Sequence, residues 1–578
     1  MKILLSKKLQ MNMKKQNLTG LAFIALTGSL VTSCDLLKDL DYKVTPCPLE
    51  MHGDSVRVKI DVTFPEKGIK KKAYAEITPK IGETSLKTVT IQGEKAQANG
   101  SVIQYKPGGK YTYTDVVAYK PEFEQTELWV TGKVFKGGKE KVGKFDDQKI
   151  CYGTIVTPLL VNKDFRVIYA KDDFKRVTPQ SAMTQFNYLQ AKSDVRTTEF
   201  KDKDMVDMTA WLTAAQSNPK INITSIDVTG FASLEGEEGK NNELSTARAN
   251  SGKEGFLKVA ANAKNDKAGA VTFNLNGSGE DFEGFKAELM KSTKIKQEDK
   301  DLIVRVLEMY SDKAQREQEM KNMSKSYTEL EKSIFPQQRR SEVKINYDLT
   351  GYSDEELKAI SVSDPQKLTL EELLFTATLT EDLNEKLRVY REAEKKDASD
   401  YRAANNVGAV LYQQGKMSEA KSQFEKANGL KDNAISKNNL GAIAGASGDR
   451  TKATKLFNDA NGAGSEVSYN KGIIAIQNGK YADAVTAFGS ENTYNKALAQ
   501  LLNGNADVAV KTIDASKDKE TAQGFYLKAI AAARQDKLTD VVSNLKSSIG
   551  KDGAMKAKAA KDAEFTKYAE DASMAFIK

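Results

Sequence analysis

Histidine is nearly missing: His52 stands alone in 578 residues. That scarcity argues against His-based acid–base or nucleophilic catalysis and against His-rich metal sites. Cysteine is held to three residues, tryptophan to two and proline to 11. There is no CxxC pair to pinch a metal, no Walker-type phosphate loop and no Ser/His arrangement, and the Gly-rich turn GSGED at 277–281 lacks a following basic partner. Nothing among the 79 acidic residues singles out a catalytic pair. The expectation is a non-enzymatic chain with no cofactor and no metal. Past the N-terminus no run of 18 apolar residues occurs, so no downstream helix reads as membrane-spanning. A chain of 578 residues is too long for one core, and three or four domains are expected.

What is present begins at the N-terminus. Lys2, Lys7, Lys8, Lys14 and Lys15 precede the apolar stretch LTGLAFIALTGSL, followed by VTSC. Basic, apolar, then small is the order of a secretory signal, and the small residues leading into Cys34 resemble a bacterial lipobox. The resemblance implies that residues 1–33 are a lipoprotein signal peptide and that Cys34 carries the lipid. The expected location is the outer membrane, with the periplasmic side favoured over the cell surface and the face left open. Removing 1–33 takes away five lysines and no acid, so the net charge falls from +8 to +3. Basicity thus belongs mostly to the signal, and nucleic acid loses its support as a partner. With Cys34 lipidated in an oxidising compartment, Cys47 and Cys151 remain as the intrachain pair and are expected to form a disulfide.

Residues 34–50 read as a tether. From 51 to 183 the pattern is β: Val56, Val58, Ile60 and Val62 alternate with Arg57, Lys59 and Asp61, the two-residue period of a half-buried strand. Turn clusters PEKG, KPGGK and KGGK separate further strands, which suggests an antiparallel sandwich or two small β units. The stretch 157–179 reads as one more strand pair. From 184 to 350, strands alternate with amphipathic helices, the mark of an α/β unit, with a helical insertion of about 55 residues between Gly279 and Pro336.

Within that α/β region, GFASLEGEEGKNNELSTARA resembles the signature of OmpA-like peptidoglycan-binding domains through Gly230, Phe231, Ala232, Gly236, Asn241, Leu244, Ser245, Arg248 and Ala249. The basic pair Arg339 and Arg340 ahead of a last strand fits the same family. The resemblance implies a site for the wall's stem peptides. Arg248 would clamp a carboxylate, Asn241 would donate an amide, and Gly230 would let the chain leave the sheet. The chain departs from the family at Ser233, where the family carries the Asp that meets the ligand's ammonium; Glu235 is a possible substitute.

Residues 351–578 are periodic. Gly408, Gly441, Gly472, Ala497 and Ala529 mark one phase, with Ala420, Ala453, Ala484, Ala509 and Val541 twelve residues on. Phe424, Phe457, Phe488, Ile513 and Leu545 stand sixteen on, and Gly415, Gly448, Gly479, Gly504 and Asp536 seven on. This resembles an all-α tetratricopeptide repeat (TPR) solenoid. Asn406, Asn439, Asn470 and Asn495 sit two residues before the phase positions, at the place that faces the concave groove in such repeats, where they are expected to hydrogen-bond an extended peptide of a protein partner. Together these features suggest an envelope lipoprotein that links the outer membrane to peptidoglycan, recruits protein partners through its repeats, or does both. The alternative is an assembly scaffold whose OmpA-like domain no longer binds the wall.

Overall fold

The computed structural model describes residues 36–578; Cys34 and the signal segment 1–33 lie outside the described residues. The chain packs as two compact units. The first holds the described residues up to Arg166 together with Ala444–Phe457 and Ser465–Lys578, and the second holds Val167–Ile443 and Asn458–Gly464.

The first unit contains the β-rich region. In the strand Ser55–Phe64 the four alternating aliphatic residues are buried while Arg57 and Lys59 face solvent. One edge of this strand pairs along its length with Gly109–Ala118, and the other takes Asp41–Val44 and Leu49–His52. A second sheet centres on Ala73–Ile81 and Glu127–Lys136. Val58 and Ile60 of the first sheet share one core with Ala75, Ile77, Val130 and Val134 of the second, so the region is a two-sheet sandwich.

The expected tether at 34–50 is folded from 36 onward. Leu40 and Leu49 are buried, and the two short strands Asp41–Val44 and Leu49–His52 are sewn to the edge of the first sheet. Four-residue strands carry too little alternation to be read without their partners. The disulfide between Cys47 and Cys151 is present, with Cα atoms 5.9 Å apart. Cys47 lies between those two first-sheet strands and Cys151 on the second-sheet strand Gln148–Tyr152, so the bond ties one sheet to the other.

Helix pairs complete this unit: Ser465–Gln477 with Tyr481–Phe488, Tyr494–Leu502 with Ala506–Asp514, and Ala522–Arg534 with Leu538–Lys551. Within the first pair, a Cβ on Gly472 would lie 2.6 Å from the Phe488 ring, so the small residue makes room for the large one. The turns between partners hold a left-handed residue, Gly479, Gly504 and Asp536 in order. The β sandwich sits against the helical part of this unit: Asp54 pairs with Arg450, the first residue of the helix Arg450–Asp459, and the His52 ring meets Tyr481 edge-on at 4.9 Å. The lone histidine is therefore a packing residue.

The second unit is built on a four-stranded sheet. Its order is Val177–Asn187, Arg340–Thr350, Ile221–Ala232, Thr272–Glu280, with the last two parallel and the other pairings antiparallel. The helix Glu238–Asn262 makes the crossover between the parallel strands and buries Phe256 and Val259 against Ile226, Val228, Val343 and Ile345. The insertion forms helices from Phe282 to Gln338 around a core of its own, into which Leu234 from the loop after Ala232 projects. The helices Tyr401–Gln413 and Met417–Leu430 pair with Gly408 against the Phe424 ring, the same small–large contact as in the first unit. The C-terminal part is thus a helical repeat region consistent with a TPR solenoid.

The strand pair expected at 157–179 is replaced by different structure. Residues 157–160 form a 3₁₀ turn, 161–176 run extended outside any strand, and Val177 opens an 11-residue strand paired in full with Arg340–Thr350. The expected boundary at 183/184 therefore cuts a strand of the α/β sheet. Alternation identifies a strand; it does not say which sheet receives it.

Candidate functional site

Two places gather the polar residues singled out by the sequence. The first comprises stretches held by asparagines, residues 161–166 in the first unit and 167–176 in the second. In the second unit, the Asn406 carboxamide accepts from the Ala170 N–H at 2.7 Å and donates to the Ala170 carbonyl at 2.9 Å. Asn439 does the same for Ile168, at 2.7 and 2.8 Å. Asn405, absent from the sequence-based set, adds a bond to the Ile168 carbonyl and accepts one from Asn439. In the first unit, Asn470 clasps Arg166 at 2.7 and 2.8 Å, and Asn495 clasps Asn162 at 2.9 Å on both sides. Each carboxamide thereby plays the part of one residue of a neighbouring β-strand, taking the N–H and meeting the C=O of a single residue.

Side chains of the segment fill specific places. Phe165 stacks on Phe457 at 6.1 Å and lies over Gly445, where a Cβ would come within 2.5 Å of the ring. Arg166 forks onto Glu491 at 2.8 and 2.6 Å and lies 3.5 Å from the centre of the Tyr469 ring. Burial holds the Asp164 carboxyl above its ordinary range, countered by the Tyr469 hydroxyl that donates to it. In the second unit, Phe174 stacks on Phe375 at 4.5 Å, and the Asp173 N–H donates to Glu371, itself held by Arg402. The expected ligand of the asparagines was a partner's peptide. In the structure they hold the chain's own segment, whose alternating Phe165, Val167 and Tyr169 were the signal for an extended ligand but read as an ordinary strand.

This arrangement predicts the result of replacing Asn406 and Asn439 together by alanine. Four hydrogen bonds to residues 168 and 170 are lost. At about 0.5–1 kcal/mol each, amide exchange at Ile168 and Ala170 should quicken roughly 30- to 1,000-fold. Unchanged exchange in a folded variant would mean the clasps contribute nothing.

The second place is the loop between Ala232 and the helix Glu238–Asn262. Arg248 is fully buried. Its Nε donates to the Lys192 carbonyl, Nη1 to that of Phe231 and Nη2 to that of Leu189, at 3.0, 2.8 and 3.3 Å. Burial pushes its pKa down to about 10. The expected carboxylate clamp is thus engaged with three backbone carbonyls, a role that the motif cannot reveal because two of them, Leu189 and Lys192, come from a chain segment outside it. Gly230 does not mark a turn: it lies within the strand Ile221–Ala232, and a Cβ there would stand 1.9 Å from the Ser245 carbonyl oxygen, so its lack of a side chain lets helix and strand touch.

Asn241 donates to the carbonyls of Ser233 and Glu235 and to the Glu280 carboxylate. The Ser233 hydroxyl donates to Glu235 at 3.0 Å, and Glu235 is ion-paired with the buried Arg339. The insertion supplies Glu317, whose carboxylate accepts from the Gly236 N–H at 2.9 Å. A cavity of about 400 Å³ remains beside Ser233, Lys240, Arg248, Glu317 and Tyr327. Sequence reasoning missed Glu317, because nothing local in the insertion says where its helices dock.

No known family profile matches the chain, and no curated protein matches it. Among solved structures, it is similar to the APC/C hetero-tetramer Cut9–Hcn1 at 14% identity, over 38% of this chain and 46% of that one, with a TM-score of 0.31. The chain thus spans less than half of that neighbour. A tetratricopeptide repeat protein from Parabacteroides merdae is 15% identical over 37% of this chain and 91% of its own, with a TM-score of 0.28. Yeast Tom70 is 13% identical over 49% and 70%, with a TM-score of 0.25.

Proposed function

We propose that this protein is a non-enzymatic, lipid-anchored scaffold of the bacterial cell envelope. In this reading Cys34 carries the lipid, the chain faces the periplasm, and the α/β region is an OmpA-like domain that no longer grips the wall. The observation that carries it is the internal engagement of the loop. The position where the family places an ammonium-binding Asp is Ser233, its nearest carboxylate Glu235 is paired with Arg339, and Arg248 spends three donors on carbonyls. Glu317 takes the Gly236 amide, which a ligand's carboxylate would otherwise meet. The helical repeats serve protein contacts, and their clasping asparagines hold the chain's own segment.

The test is a pull-down of the lipid-free chain on purified sacculi, with Glu317→Ala alongside to release the Gly236 amide. Neither protein is expected to bind above a control without sacculi. Sacculus binding that free stem peptide competes away would replace the scaffold reading with a wall-linking one.

A further inference from the structure

The asparagine clasps use only one edge of the extended segment. In an extended chain the N–H and C=O of successive residues point to opposite sides. Ile168 and Ala170 give theirs to Asn439 and Asn406. Val167, Tyr169 and Lys171 therefore direct theirs the other way, and these backbone groups meet no hydrogen-bonding partner among the described residues. Val167 and Tyr169 are half-buried and Lys171 is exposed. The side chains on either side are anchored: the Tyr169 hydroxyl donates to Gln413 at 2.8 Å, its ring stacks on Tyr390 at 6.0 Å, and Phe174 stacks on Phe375. The result is an extended stretch, anchored by its side chains, with one backbone edge unpaired among the described residues.

From this geometry we infer that residues 167–171 form a docking edge onto which a partner protein adds one extended segment by β-strand addition. The chemistry selects the class of partner. Three residues of one parity repeat a donor and an acceptor at the two-residue spacing of a strand, about 6.6 Å, and an extended polypeptide backbone repeats the complementary groups at that spacing. Beside this stretch, an open cleft of about 830 Å³ reaches from Tyr169 and Lys171 to Leu430 and Ile435. Leu430 is 40% exposed there, so the arriving segment carries an apolar side chain where it passes. The edge is preformed, and binding need not order it. A long bare edge is a liability in a monomer; this one spans a few residues and ends where the Asp173 N–H is taken by Glu371.

The inference deepens the scaffold reading and rests on it for the existence of a partner, but its test is separate from sacculus binding. The probe is an eight-residue peptide of alternating valine and threonine, compared with the same peptide N-methylated at every second residue, against the full lipid-free chain. Binding of the first peptide should slow amide exchange at Val167, Tyr169 and Lys171 by about tenfold or more, with Ile168 and Ala170 unaffected, and the methylated peptide should do nothing. Lys171→Pro, which removes one edge donor and leaves the clasps in place, should weaken binding about tenfold, the value of one hydrogen bond. Lys171→Ala should stay within twofold, roughly the error of such a change at an exposed side chain. No binding, faster exchange at Ile168 and Ala170 on adding peptide, or equal behaviour of the two Lys171 variants would each overturn the proposal.

Discussion

Arg248→Ala should lower the stability of the second unit by about 3 kcal/mol or more, because three carbonyls buried around the guanidinium lose their donor at roughly 1–3 kcal/mol each. The charge itself is not the source of that stability. Burial lowers the pKa of this base to about 10, so the unfolded chain holds the proton more tightly than the folded one. The resulting penalty is present in full below that pH and relaxes only as pH rises past it. What the residue contributes is geometry: its fork joins the helix Glu238–Asn262 to the end of the strand Ile221–Ala232 and to residues 189 and 192. Tyr188, whose ring lies 5.3 Å from the guanidinium carbon, adds a hydroxyl bond to the Arg248 carbonyl. Arg248→Lys keeps the charge but not the fork, and most of the loss should remain. Urea denaturation of the full chain decides the matter. A midpoint shift equivalent to less than about 0.5 kcal/mol, as for an ordinary surface change, would mean that the side chain is held for a ligand rather than for the fold.

Replacing Cys47 and Cys151 together by serine should produce an effect of similar size in the other unit. The bond closes a loop with a sequence separation of 104 residues, for which chain entropy gives about 4.7 kcal/mol, an upper figure. The damage should begin locally. Without the bond, the backbone of Asp41–Val44 and Leu49–His52 pairs with the sandwich through the edge of Ser55–Phe64 and a parallel pairing of Leu49 and Glu50 with Thr154 and Ile155, and Leu49 still packs in its core. Amides of these short strands should lose protection before those of Ala73–Ile81. Thermal unfolding and amide exchange of the oxidised and double-serine proteins measure both effects. Equal melting temperatures, with unchanged protection at Val44 and Met51, would show that the bond is incidental.

Period, pairing chemistry and small–large spacing were readable without a structure. The strand Ser55–Phe64 carries its own alternation, and its four inward aliphatics are the four that pack. The helix pairs announce themselves through Gly408 with Phe424 and Gly472 with Phe488, because a ring that needs space and a residue that leaves it must recur in phase. Asn406, Asn439, Asn470 and Asn495 could be found for the same reason: a clasp repeated along an array recurs with the array. The glycine-rich loop was found as a feature but its internal partners were not, since a motif names residues and leaves their partners unnamed.

By itself, then, the sequence determined the long alternating strands and the phased helix pairs, which two cysteines pair, and that Asn406, Asn439, Asn470 and Asn495 face an extended chain. These depend on local period, on the supply of thiols and on repeat phase. It did not determine the short strands Asp41–Val44 and Leu49–His52 or the lack of a strand at 161–176. Tertiary structure decided the rest: that the extended chain is the protein's own segment 161–176, that Val177–Asn187 joins the α/β sheet, and that Arg248 braces carbonyls while Glu317 closes the loop from the insertion. Each of these is a contact between groups far apart along the chain, and such a contact is chosen by competition among whole packing arrangements, where the complementary edge, cavity or carbonyl exists only once the fold has formed.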